Sequence, residues 1–214
     1  MPSITGAYGE EKKTYASKVY ELGTILEFRD GRKFVFCLND ATADIAGNLY
    51  TSPVFSYTDL AVINGLAGSD FVIVTLGSAA LTANQLVDGW VHTRASSTTG
   101  GGRLYKIKSH LAAAGSTNVR IDLHPGDTVQ ESWLIGTTKV DLLPNPYSGV
   151  ILLSFTGEQL LIAGVAVGDV PASYYGWYQT HGICSVVRPE LSIVGKSFGA
   201  SAADSFGVTV LGGL

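Results

Sequence analysis

Apolar residues recur along this chain with a period of two or in short runs, and scarcely anywhere with the spacing of a helix. In NVRIDLH (118–124), Val119, Ile121 and Leu123 fall on one side and Arg120 and Asp122 on the other. RLYKIKS (103–109) sets Tyr105 and Ile107 against Lys106 and Lys108. FVFCL (34–38), FVIVTL (71–76) and GVILLSF (149–155) are short apolar runs enriched in β-branched and aromatic residues, which also predict strands. Turn-forming clusters separate these runs: RDGRK (29–33), INGLAGSD (63–70), STTGGGR (97–103), HPGD (124–127) and PNPYSG (144–149). Asp30–Gly31, between LEF and KFVF, predicts a hairpin closed by a type I′ turn, because both residue types tolerate positive φ. With no alternation of strands and helices, the pattern predicts a mainly β, antiparallel barrel or sandwich.

The middle of the chain, about residues 65–143, carries the longer loops and the clearest alternation. It reads as a β subdomain inserted between N- and C-terminal parts that pair with each other. At the N-terminus the pattern weakens. EEKKTYASKVYE (10–21) fits a turn or two of helix or a flexible arm, and residues 1–19 contain few large apolar residues: Ile4, Tyr8 and Tyr15. Such a segment cannot bury enough surface to fold alone. The expectation is an arm that anchors the protein to a partner, adding a strand to a neighbouring sheet edge, with those three side chains in pockets.

Composition narrows the function classes. Of 214 residues, 46% are apolar and only 15% charged, and the net charge is −4, against roughly 25% charged in an average soluble domain. A surface so poor in charge predicts burial against partners in an assembly. No basic cluster is longer than Lys12–Lys13, which argues against direct contact with nucleic acid. No apolar stretch approaches the 18 or more residues of a membrane helix, and MPSITGAYGEEKK lacks the apolar core of a signal peptide, so export by that route is not expected. Cys37 and Cys184 lie in apolar contexts and read as buried free thiols.

No motif predicts catalysis or a cofactor. Gly195–Lys196–Ser197 ends like a phosphate-binding loop, but Glu190 stands where that loop needs its first glycine. TTGGGR (98–103) lies between strand-like flanks and reads as a hairpin loop. His92, His110, His124 and His181 lack metal-ligand spacing, alone or with the cysteines. His181 and Cys184 are too local for a nucleophile–base pair, and Asp88, Asp122, Asp127, Asp141 and Glu158 show no paired-carboxylate signature.

The most informative stretch is YYGWYQTHG (174–182). Written as a strand, it places Tyr175, Trp177, Gln179 and His181 on one face and Tyr174, Gly176, Tyr178 and Thr180 on the other. Aromatics on both faces predict one face against the protein's own core and the other against a subunit contact. Tyr175, Trp177 and Tyr178 are therefore interface candidates, with Trp177 buried in either case. Trp177 or Trp90 beside Asn or Asp would instead serve a carbohydrate-binding module.

The segment AGVAVGDVPASYYGWYQTHGICSVV (163–187) resembles capsid decoration (cement) and related head proteins of tailed bacteriophages. YELGTILEFRDGRKFVFCLNDATADIAGNLYTSP (20–53) is similar to their opening pattern, and ELSIVGKSFGASAADSFGVTVL (190–211) to their closing strand–turn–strand. The resemblance covers about half of the chain and carries over no catalytic residue or cofactor. It implies a virion protein on the capsid exterior, made in the host cytoplasm. Its expected partners are the major capsid protein and itself, as a homotrimer or dimer. Another virion component (tail, baseplate or minor head protein) and an adhesin are the alternatives.

Overall fold

A computed structural model describes residues 2–54, 56–94, 101–153 and 161–187, together with the backbone of Phe198–Ala200 and Val208–Val210. The strands are β1 (Ser3–Thr5), β2 (Ile25–Glu27), β3 (Lys33–Asn39), β4 (Leu49–Thr51), β5 (Leu60–Asn64), β6 (Phe71–Thr75), β7 (Trp90–Thr93), β8 (Leu104–His110), β9 (Asn118–Leu123) and β10 (Lys139–Leu143). After these come β11 (Ser148–Leu152), β12 (Ile162–Ala166), β13 (Tyr175–His181), β14 (Phe198–Ala200) and β15 (Val208–Val210). Glu10–Lys12 make a single 3-10 turn, and no α-helix occurs among the described residues. The mainly β expectation holds. Gly195–Lys196–Ser197, Glu158 and most of the glycine loop at 97–100 lie outside the described residues.

The chain divides into two compact units, one of Met1–Pro53 with Pro146–Leu214 and one of Val54–Asn145. In the first, the sheet order is β1-β2-β3-β11-β4-β12-β13, and β3 also pairs with β13, closing five strands on themselves. Alternate residues of the closed strands fill the interior: Val35 and Cys37 from β3, Tyr50 from β4, Val150 from β11, Ala163 from β12 and Tyr178 from β13. The interior of so small a barrel is packed with side chains and leaves no channel. Gly176 faces Val170 so closely that a Cβ there would lie 2.8 Å from a valine methyl, which explains a glycine inside an otherwise aromatic strand.

The opposite face of β3 and β13 corrects the picture of the N-terminus. There Leu26, Phe28, Phe34, Phe36 and Trp177 form a second cluster, covered by Ile4, Tyr15, Tyr20 and Leu22 of the same chain. Ser3–Thr5 adds to β2 as a parallel strand, and Tyr15 exchanges two backbone hydrogen bonds with Tyr175, at 2.9 and 2.8 Å. Ile4, Tyr15, Tyr20 and Leu22 thus serve the unit's own core. The segment is too polar to fold by itself, but it need not: it lays a few aromatic side chains on an apolar face that β3 and β13 supply.

The β2–β3 hairpin forms where the sequence places it, with Glu27 opposite Lys33, but not through a type I′ turn. Phe28 N donates to Arg32 O at 3.0 Å, leaving a three-residue loop, and only Gly31 takes positive φ (+86°). A type I turn followed by one left-handed glycine suits that loop length.

In the second unit six antiparallel strands close in the order β10-β5-β6-β9-β8-β7. Val119, Ile121 and Leu123 of β9 and Tyr105 and Ile107 of β8 point inward, as their alternation predicts, joined by Val62, Val72, Val74, Val91, Val140 and Leu142. Each strand contributes every second residue, so the period-two pattern of the sequence is the inside–outside pattern of this barrel.

Candidate functional site

The aromatic strand is interior structure. Trp177 is 1% exposed, with ring centroids 5.0 Å from Phe36 and 5.3 Å from Tyr20. Tyr178 is 0% exposed and meets Tyr50 edge-on at 5.5 Å in the barrel interior. Tyr175 is half-buried and stacks on Phe36 at 5.6 Å. Both faces of β13 are therefore covered by the unit itself, and neither Trp177 nor Tyr178 has surface to offer a partner. The subunit contact expected on one face is replaced by the N-terminal segment. Ile4 and Tyr15 belong to that cover. Of the six interface candidates only Tyr8 is largely exposed, at 70%, its ring edge-on to Phe28. Trp90 is not an open stacking surface either, because the Lys106 ammonium lies 4.2 Å from its ring centroid.

Asp44, which the sequence reading passed over, lies against this strand. It is buried at the end of the first barrel, hydrogen-bonded by the Tyr178 hydroxyl, and bridged through its backbone to Val170. It forms no ion pair among the described residues. Burial is the main reason its carboxyl is pushed up to about 7, with the Asp40 carboxylate adding to the rise and hydrogen bonds from Tyr178 and Tyr50 opposing it. Burial likewise pushes Tyr50 up to about 12 and the Cys37 thiol well above its ordinary value. Both cysteines are free, Cys37 buried and Cys184 half-buried.

In the second unit Asp141 gathers Asp59 N and Arg94 Nε at 2.8 Å each, with His92 Nδ1 at 3.3 Å. Partial burial works against its charge, but these donors outweigh it and hold the carboxyl below the usual range. The group ties β7 and β10 to the residues before β5, a structural role.

His110, at the end of β8, is 3% exposed with both ring nitrogens engaged. Its Nε2 accepts Leu86 N at 3.0 Å, so the proton sits on Nδ1, facing Leu111 O at 3.1 Å. Burial is the main cause that lowers its pKa, opposed by the Leu111 carbonyl. A second proton would have to break the Leu86 bond. The neutral ring therefore contributes stability that is complete above the unfolded value of about 6.5 and lost as pH falls through the folded one. Lowering the pH from 7 to 5 should reduce the protection of the Leu86 amide against hydrogen exchange, measured relative to its intrinsic rate at each pH, and His110→Gln should flatten that response. Equal pH slopes in both proteins would count against the assignment.

Two surface features of the second unit are built from loops. At one, Gly65 O accepts Trp133 N at 2.8 Å and Ala67 N donates to Ser132 Oγ at 3.1 Å, joining the loops after β5 and before β10. The Trp133 ring packs so closely on Gly65 that a Cβ there would lie 2.3 Å from it. Above this support Leu66 (60% exposed), Leu134 (48%) and Ile135 (68%) project into solvent. At the other, the loop holding Asn84 crosses the end of β8, pinned by paired backbone hydrogen bonds between Leu81 and Ala113, at 2.9 and 2.8 Å. A cleft of about 580 Å³ opens between this loop, residues 111–113 and the outer face of β9.

Among the described residues no group of three or more His, Cys, Asp and Glu side chains converges to hold a metal, and no helix is long and apolar enough to cross a membrane. No protein-family model matches the chain, and neither a curated protein nor a solved structure matches it.

Proposed function

We propose that this chain is a structural virion protein that decorates and stabilises the capsid shell of a tailed bacteriophage. It binds the major capsid protein from the outside and associates with itself, as a trimer or a dimer, after synthesis in the host cytoplasm. The observation that carries the reading is the solvent-facing apolar tip of Leu66, Leu134 and Ile135 on a chain with only 15% charged residues. Apolar side chains held out on a rigid, Trp-supported pair of loops suit insertion into a partner's groove. A second support is spatial: two segments that resemble decoration proteins, 20–53 and 163–187, lie far apart in the chain yet supply four of the five strands of one barrel. The reading assigns no catalytic step and no cofactor. An adhesin that stacks sugars on Trp177 or Trp90 is disfavoured, since one ring is buried and the other covered by Lys106.

Decoration stabilises by mass action: a protein that binds only the expanded lattice stabilises it in proportion to occupancy. The full chain should co-sediment with expanded, undecorated capsids of the phage that encodes it and leave unexpanded ones bare. Leu66→Ser with Ile135→Ser should lower occupancy about tenfold or more, since each loses a buried apolar contact, while the far-ultraviolet spectrum stays unchanged. Absence of any capsid binding by the wild-type protein overturns the reading. A monomer by light scattering at micromolar concentration overturns the self-association.

A further inference from the structure

The cleft beside β9 is distinguished by which hydrogen-bonding groups remain unused. Ser109 Oγ and Arg120 Nε donate to the two oxygens of Asp122, at 3.0 and 2.6 Å. Asn118 Oδ1 accepts from Thr75 Oγ1 at 2.8 Å, and Asn84 Oδ1 accepts from His110 N at 3.1 Å. The side-chain acceptors of Asp122, Asn118 and Asn84 are thus engaged within the unit. What remains is a set of donors: the terminal nitrogens of Arg120 and the amide nitrogens of Asn84 and Asn118, which have no partner among the described residues. Arg120 is fixed as well as charged, its guanidinium lying 3.9 Å from the Phe71 ring centroid. Leu111, 80% exposed, forms an apolar wall.

The unused donors call for a ligand rich in acceptors, and Arg120, although ion-paired to Asp122 through Nε, still presents its terminal nitrogens to an anionic group. An extended acidic peptide is the poorer fit. Peptides that lie along β structure take their register from an open strand edge, and β8 and β9 are paired on both sides within the closed barrel. Separate side-chain amides beside an apolar wall instead match a sugar ring, which offers oxygens around its rim and C–H groups on its face. We propose that this cleft binds an anionic saccharide, its carboxylate or sulfate on Arg120, its ring oxygens and hydroxyls on Asn84 and Asn118, and its apolar face on Leu111. The cleft shares no residue with the Leu66, Leu134 and Ile135 tip, so its binding can be tested apart from capsid attachment.

The full chain, isotopically labelled, is titrated with four probes: a glucuronate-containing tetrasaccharide, a sulfated heparin-type tetrasaccharide, neutral cellotetraose and an Asp-rich tetrapeptide. The expected result is saturable shifts at the Asn84, Asn118 and Arg120 side chains with one or both anionic saccharides, weakening as salt is raised. Which of the two binds more tightly identifies carboxylate or sulfate as the anchor. Asn84→Asp and Asn118→Asp keep the oxygen that serves His110 N or Thr75, remove the free donor and add a negative charge. Each should weaken binding of the anionic saccharides about tenfold or more, through the lost hydrogen bond and the added like-charge repulsion. Shifts elsewhere only, no binding by either anionic saccharide, equal binding of cellotetraose, or tighter binding of the peptide overturns the proposal. Those wild-type titrations decide the matter even if a variant fails to fold.

Discussion

Trp177→Ala should destabilise the first unit by about 3–5 kcal/mol, the range for removing a large aromatic side chain from a packed core. Trp177 is the largest side chain of a cluster whose members come from three places in the chain: Tyr15 and Tyr20, Phe34 and Phe36, and β13. Truncation would leave a cavity bordered by rings that cannot all shift inward, because Phe36 is also stacked on Tyr175. Trp177→Phe should cost much less. It retains most of the ring contact and gives up an indole N–H that is buried near the Tyr15 hydroxyl without a well-formed hydrogen bond. Denaturant unfolding of the full chain, followed by hydrogen exchange within β3 and β13, measures both. A loss below about 1 kcal/mol for Trp177→Ala would mean that the N-terminal cover does not close over this ring.

Asp44→Asn should stabilise the protein at pH 8 and leave it nearly unchanged at pH 4. Below about pH 4 the folded and unfolded chains both hold the proton, and the buried carboxyl adds no pH-dependent cost. Between there and about 7 the unfolded chain releases the proton while the folded chain retains it, so stability falls as pH rises and levels off beyond. The groups facing this carboxyl are the Tyr178 and Tyr50 hydroxyls, the Cys37 thiol and the Asp40 carboxylate, none of them a cation. A shift from 3.8 to about 7 corresponds to at most about 4 kcal/mol. Asparagine can still accept from Tyr178 and never ionises. The variant's melting temperature at pH 8 should therefore rise by about 4 °C or more, and the amides of Ile45 and Ala46 should exchange more slowly. Parallel pH–stability curves for the two proteins would sink the assignment.

The parts of this structure that were legible in the sequence are those with a strong local signal. Strands β3, β6, β8, β9 and β11 coincide with the apolar runs and alternations, since a strand half-buried in a barrel must alternate. The two-faced character of β13 was legible too, but not what covers its outer face. That cover comes from Tyr15, Tyr20 and Leu22, scattered among polar residues, and it depends on tertiary packing alone. Asp44 gave no signal at all, since its partner Tyr178 is 134 residues away. The cleft at β9 was half visible: Arg120 and Asp122 were readable as an outward face, whereas Asn84 reaches them only because a distant loop crosses β8.

The five-stranded barrel is discontinuous along the chain, and this bears on how the protein can be made. As a ribosome releases it, β3 emerges with an exposed apolar face long before β13 exists to pair with it, while β5 to β10 appear in one uninterrupted stretch and can close at once. Until that happens, joining β3 to β13 means closing a very long flexible loop, whose entropic cost grows with its length. Once the intervening unit has folded, the same two strands are joined through a compact body. Order of synthesis and order of assembly thus differ, and the segment translated in the middle is the one that finishes first.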